Sequence, residues 1–148
     1  MKKNKKLVKK IVLFINTSKE KQLDVFLLTK NRIIAQSILK GNFKVSDSLL
    51  GLIDKTLKKK DIKFDQLAGI IVISGPGPFT SIRIGVTIAN TLAFALKIPV
   101  ADSIIENKAN NLELIKIGWQ KLKKAKIGKY CRPFYNQEPN ITVAKKYS

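Results

Sequence analysis

Residues 69–96 read GIIVISGPGPFTSIRIGVTIANTLAFAL, and this stretch decides the architecture of the chain. Ile70, Ile71, Val72 and Ile73 form a β-branched run without polar interruption, which fits a strand covered on both faces. Gly75-Pro76-Gly77-Pro78 then forbids regular structure. The glycines admit positive φ, while the prolines fix φ and remove two N–H donors. Thr80 or Ser81 is expected to cap the helix that follows, which runs to about Leu96. On its wheel Thr80, Arg83, Thr87, Asn90 and Thr91 make a narrow polar stripe. Ile82, Ile84, Val86, Ile88, Ala89, Leu92, Ala93, Ala95 and Leu96 spread over roughly 200°, where a surface helix needs little more than ~100°. Either the domain itself covers the extra arc, or a partner helix packs on the small face of Gly85, Ala89 and Ala93.

Upstream, Lys10–Ile15, Leu23–Leu28 and Ile33–Leu39 read as three strands joined by short polar turns, an antiparallel meander. Ser46-Asp47-Ser48 is expected to cap a helix that runs to about Lys60. Leu49, Leu50, Ile53 and Leu57 share its apolar face; Leu52 falls off that stripe. Downstream, Lys97-Ile98-Pro99-Val100-Ala101 reads as a fifth strand. Together these elements define an α/β fold with a five-stranded mixed sheet and helices on its faces. Asn107–Lys126 reads as a further basic helix carrying Leu112, Ile115, Trp119 and Leu122 near helical spacing, weakened by Gly118. Ile141–Val143 is a candidate edge strand in the tail. Residues 1–9 form a basic arm with Lys2, Lys3, Lys5, Lys6 and Lys9, either a phosphate contact or a solvated terminus.

The 148 residues suffice for one domain with a real core, and the 45% hydrophobic content excludes general disorder. Lysine and arginine total 29 against 10 acidic residues, a net charge of +19. Such a balance fits an anionic partner, RNA first, and equally a solvated lysine-rich surface. A single cysteine, Cys131, allows no internal disulfide, which fits a reducing compartment. The N-terminus imitates a signal peptide, but the apolar run Ile11–Ile15 is too short and no small-residue cleavage site follows. No stretch reads as a membrane span of ~20 apolar residues. A soluble, cytoplasmic protein without a membrane partner is expected.

The absence of histidine removes imidazole metal ligands, imidazole bases and Ser-His-Asp triads together. The turn before Thr80 lies where helix N-termini bind anions. It lacks the lysine that ends a Walker loop, and its prolines have removed N–H groups a phosphate would use, so a stiff connection is the better reading. Arg83 opposes the helix macrodipole at a typical cost of ~0.3–1 kcal/mol. It is expected to tie down a carbonyl or carboxylate, or to meet a partner. Asn16, at the end of the first strand, cannot organise Mg²⁺ by charge as a carboxylate would. No nucleophile has an evident base beside it. No catalytic, cofactor-binding or metal-binding residues are assigned.

The segments Asn16-Thr17-Ser18, Ser46-Asp47-Ser48-Leu49-Leu50 and GPGPFTSIRIGVTIANTLAFALKIPV resemble the TsaB (YeaZ) family over roughly Lys10 to Ser103. The family's patterns are close to D-T-S, H-S-E-x-L-L-P and G-P-G-S-F-T-G-L-R-I-G. The tail from Pro133 to Thr142 is similar to the family's P-x-Y segment. Asn16 stands in place of Asp, Val45 and Asp47 in place of His and Glu, Gly51 in place of Pro, Pro78 in place of Ser, and Ser81 in place of Gly. The resemblance implies a ribonuclease-H-like (actin/hexokinase-like, ASKHA) lobe over residues 10–103. A basic helix over 104–129 would replace the second lobe, and 130–148 would be a C-terminal tail. Without a second wall, no nucleotide binding or cofactor is expected. The resemblance further implies an accessory, non-enzymatic subunit of tRNA threonylcarbamoyladenosine synthesis. It would pair with a TsaD-like catalytic subunit, joined by a TsaE-like ATPase and acting on tRNA; a homodimer of the free chain stays open. The implied partner surface is Leu49, Leu52 and Ile53 of the first helix with Ile82, Gly85, Val86, Ala89 and Ala93 of the second. Gly75, Pro76, Gly77, Pro78, Phe79, Thr80 and Arg83 form the implied structural loop motif. A stand-alone basic RNA-binding module is the competing reading. The scarcity of aromatics for base stacking counts against it.

Overall fold

The computed structural model describes residues 10–30 and 32–134. The basic arm and the expected strand at Ile141–Val143 lie outside them. Five strands form one sheet: β1 (Ile11–Asn16), β2 (Gln22–Thr29), β3 (Arg32–Lys40), β4 (Leu67–Gly75) and β5 (Val100–Ile104). The helices are α1 (Val45–Lys59), α2 (Phe79–Leu96) and α3 (Asn111–Lys124), with a 3₁₀ turn at Phe64–Gln66.

The strand order is β3-β2-β1-β4-β5. The first three strands pair antiparallel, as their short turns require, while β4 runs parallel to β1 and β5 parallel to β4. The parallel pairs need crossovers, which α1 and α2 supply. Strand alternation sends two apolar sets to two faces. Leu13, Ile15, Leu23, Val25, Ile70 and Val72 meet α1 and α2, and Val12, Phe14, Phe26, Ile71 and Ile73 meet α3. The central strands are thus covered on both faces, which is why residues 70–73 carry no polar interruption. Fully burying each such side chain contributes about 1.5–3 kcal/mol.

Several boundaries differ from those expected. Neither α1 nor α2 has a side-chain N-cap: the cap residues are Lys44 and Pro78, not Ser46 or Thr80. On α1, Leu50 is 49% exposed and Leu52 only 8%. The stripe is rotated because Thr56, buried and polar, extends it toward β3, where its hydroxyl lies 2.8 Å from Ser37 Oγ and 2.7 Å from the Leu52 carbonyl oxygen. The fifth strand begins at Val100, not Lys97, because Lys97 adopts a left-handed conformation (φ 57°) that closes α2. The last helix is shorter than 107–126 and carries a capping box, in which the Asn110 side chain accepts from Glu113 N–H and the Glu113 carboxylate accepts from Asn110 N–H.

α2 alone meets the length and apolarity of a membrane helix among the described residues. Here it packs on the sheet with Ile82, Gly85, Val86, Ala89 and Ala93 buried and Arg83, Thr87 and Thr91 exposed. That two-sided character is the signature of a core helix at a domain surface.

Candidate functional site: a closed loop cluster and the outer helix face

The C-terminal ends of β1 and β4 meet α2 in one cluster of loops, the place where open parallel sheets ordinarily hold ligands. In this chain the buried polar groups of the cluster satisfy one another, beside a cavity of about 250 Å³ lined by Lys19, Gln22, Phe43 and Ser81. Asn16 and Asp24 stand opposite each other in the β1–β2 register, and alternation points both to the α3 face. The Asn16 side-chain oxygen accepts from Ser18 N–H (2.9 Å) and Ser18 Oγ (2.6 Å). Its Nδ2 donates to Asn111 Oδ1 (2.8 Å), and Asn111 Nδ2 donates to Asp24 Oδ2 (2.8 Å). Asp24, fully buried, also pairs with Lys19 (2.7 Å) and accepts from Gln22 Nε2 (2.8 Å). The first residue of α3 therefore closes a network from β1 to β2. Among the described residues no buried side-chain polar atom lacks a partner. A buried carboxylate is tolerable only when satisfied in this way.

The glycines of the GPGP loop admit neighbouring backbone. A Cβ on Gly77 would lie 2.8 Å from Ser18 Cα and from the Ser18 carbonyl oxygen. Gly75 has φ +135°, and its Cβ would meet the Phe134 carbonyl oxygen. Phe134 N–H in turn donates to the Ser74 carbonyl oxygen (2.7 Å). On α2, a Cβ at Gly85 would lie 2.5 Å from Thr17 Oγ1, which donates to the Ser81 carbonyl oxygen (2.8 Å). The Gly75–Pro78 motif thus packs between the β1 loop and the segment Cys131–Phe134. Among the described residues Arg83 ties down no carbonyl or carboxylate; its guanidinium lies over the Phe79 ring, 5.1 Å from the centroid. Thr80 is exposed at the start of the helix.

The segment after α3 returns to the α2 face. Asn90 clamps Cys131 by two bonds, Nδ2 donating to its carbonyl oxygen (2.9 Å) and Oδ1 accepting from its N–H (3.0 Å). The Cys131 thiol is pushed up to about 12, chiefly by burial and further by the Asp102 carboxylate, with Lys121 opposing. It stays protonated and unreactive at neutral pH. No group of three or more Asp, Glu or Cys side chains among the described residues is placed to hold a metal ion.

The expected partner surface needs correction. Leu49, Leu52, Ile53, Ile82, Gly85, Val86, Ala89 and Ala93 are all buried within the chain's own core. The small face of α2 receives Thr17 and the sheet, so the domain itself covers that arc. The apolar surface that remains lies farther out. Thr56 and Lys59 of α1 reach Ser37 and Gln36 of β3, which leaves Leu50 on the opposite flank, toward α2. Asn90 faces the Cys131 segment, so Ile84 and Ile88 lie on the other flank of α2, toward α1; both are half-buried, with Thr87 and Thr91 exposed beside them. Sequence reasoning missed Asp24, Asn111 and the Asn90 clamp. The signals were a lone carboxylate inside an apolar strand and the N-x-x-E pattern at Asn110.

A three-stranded meander continued by two parallel strands, with two helices on one face and one on the other, defines a ribonuclease-H-like lobe of the ASKHA class. Comparison with known proteins agrees. A family model for "TsaD: tRNA N6-adenosine threonylcarbamoyltransferase" matches residues 43–102. The tRNA threonylcarbamoyladenosine biosynthesis protein TsaB of Bacillus subtilis is 39% identical over 103 residues, covering 68% of this chain and 44% of that protein. TsaB of Buchnera aphidicola (subsp. Acyrthosiphon pisum) is 37% identical over 71 residues, 48% of this chain and 32% of that one. Among solved structures, YeaZ from Pseudomonas aeruginosa superposes with a TM-score of 0.57 at 27% identity, covering 63% of this chain and 43% of that one. The lobe of this chain is similar to the N-terminal part of TsaB (YeaZ) proteins. The match spans less than half the length of these relatives.

Proposed function

We propose that this chain is a non-catalytic subunit in tRNA threonylcarbamoyladenosine synthesis that pairs with a TsaD-like enzyme through the outer faces of α1 and α2. The reading is supported by the apolar strip of exposed Leu50 and half-buried Ile84 and Ile88 on two adjacent helices of a TsaB-type lobe. The closed loop cluster supports it, since Asn16 and Asn111 use their amides on each other where an enzyme of this class would need an open carboxylate. A TsaE-like ATPase joins the pair, and tRNA is the substrate of the assembly rather than of this chain alone.

Co-purification with the TsaD-like enzyme of the same organism tests the reading. Leu50→Arg and Ile84→Arg should abolish the complex while leaving the melting temperature close to that of the parent. A complex that survives both changes sinks the proposed surface, and no complex with the parent chain sinks the pairing. Ala89→Arg and Ala93→Arg are unsuitable probes, because both side chains are buried and a buried charge unfolds the lobe.

A further inference from the structure

On the α3 face, at the end of the sheet remote from the loop cluster, lies an open cavity of about 800 Å³. Its floor includes Trp119 and Leu122 of α3, and its rim carries Lys10, Lys30, Arg32 and Lys123. Among the described residues no acidic side chain lines it. The four cations are exposed and make no ion pair among the described residues. An apolar floor that holds an indole, ringed by uncompensated cations, matches a ligand with a flat apolar face and phosphates beside it. Ligand cavities of about 300–1,000 Å³ are the usual size for such groups.

We infer that this cavity is a nucleotide-binding site for single-stranded RNA, one base packing against Trp119 and Leu122 while flanking phosphates are held by Lys10, Lys30, Arg32 and Lys123. Aromatic platforms with basic rims bind single strands without needing sequence readout. The choice of RNA rests on the proposed role in tRNA modification; the fit to a base and its phosphates does not.

Trp119 is the chain's only tryptophan, so its fluorescence reports on the site directly. The full chain is titrated with a short single-stranded oligoadenylate, reading Trp119 quenching and, with a labelled strand, anisotropy across a salt series. Quenching is expected, with a log–log salt slope near −3 if all four cations contact phosphate, at about −0.7 per contact. Arg32→Glu and Lys123→Glu should each weaken binding about tenfold and flatten that slope, and Trp119→Ala should weaken it by a similar factor, with Trp119→Phe close to parent. Lys55→Glu and Lys58→Glu, on α1 across the sheet, should leave binding unchanged apart from a small long-range effect. Equal losses from the α1 and rim variants would show diffuse charge attraction and overturn the site. Unquenched tryptophan, or an acidic peptide that quenches as well as RNA, overturns it too. Adenosine monophosphate binding as tightly as the oligonucleotide overturns the assignment to RNA. The rim variants should still pair with the TsaD-like enzyme, so loss of this site and loss of the proposed pairing are read separately.

Discussion

At the scale of single residues, the loop cluster depends on exact partners. Asn16→Asp places a carboxylate opposite Asn111 while Asp24 faces the same amide from the other side. Flipping Asn111 only moves the oxygen–oxygen clash from one carboxylate to the other. The variant should lose about 1–3 kcal/mol of stability, the cost of an unsatisfied buried group, read as a lower denaturant midpoint. Gly85→Ala should cost about 1–3 kcal/mol by overpacking against Thr17. Thr17→Ala removes the crowded atoms, so the double variant should be more stable than the two single losses predict when added. Cys131 carries a pH signature. Its folded value, about 12, lies above the ordinary thiol value of 9.0. The unfolded chain therefore gives up the proton first, and the thiol's contribution, full below about pH 9, is lost as pH rises toward 12. The parent chain should lose stability relative to Cys131→Ala across that alkaline window, measured by chemical denaturation. A constant difference between them would contradict the burial assigned to the thiol.

At the scale of elements, glycines in helices act in opposite directions according to their surroundings. Gly51 on α1 is exposed, and a Cβ there meets nothing within 4 Å. Gly118 on α3 is the point of closest approach to the sheet, where a Cβ would collide with Ile71 Cγ2 and lie 2.9 Å from Ser103 Oγ. Gly51→Ala should stabilise by about 0.5–1 kcal/mol through helix propensity, and Gly118→Ala should destabilise despite the same propensity gain. Thermal melts of the two variants decide it; a rise for both would show that α3 does not press on β4. Sequence alone treats the two alike, as Gly118 weakening a helix, because propensity is local and close approach is not. The same limit explains other differences. The β-branched run at 70–73, the meander and the helix after the GPGP loop were legible because both-face burial, short turns and breakers leave local marks. The missing caps were not, because Ser46 and Thr80 are good cap residues lying just inside helices that start at Val45 and Phe79. Leu50 and Leu52 exchanged roles because Thr56 joins the buried stripe through a tertiary partner, Ser37, that no wheel contains.

At the scale of the whole molecule, the inner part of the wide apolar arc of α2 is covered by the sheet, the adjacent α1 and the segment at Cys131, and Ile84 and Ile88 remain half-buried at its outer edge. The residues read from the sequence as a partner surface proved to be core. Periodicity identifies the most apolar face of a helix, and in a lobe with two helices on one side of a sheet that face belongs to the sheet. The proposed partner surface is what lies next to it. The electrostatics divide likewise. Asp24 and Asp102 are paired with Lys19 and Lys121, while the cations at Lys10, Lys30, Arg32 and Lys123 make no ion pair among the described residues.

The Asn90 clamp has a consequence for how the molecule opens. Asn90 presents its carboxamide to Cys131 as a neighbouring strand would present a peptide group, so a stretch of chain far along the sequence is stitched to α2 by one side chain. Beyond it, the tie at Ser74 uses a single backbone amide. So few bonds define a small cooperative unit that can detach without melting the sheet. In amide hydrogen exchange, Cys131 and Phe134 should exchange by local release, well ahead of residues 70–73. Asn90→Ala should speed those two amides while leaving the sheet's slowest protons unchanged. Equal acceleration throughout would mean that the segment is an integral part of the lobe's global stability rather than a latch upon it.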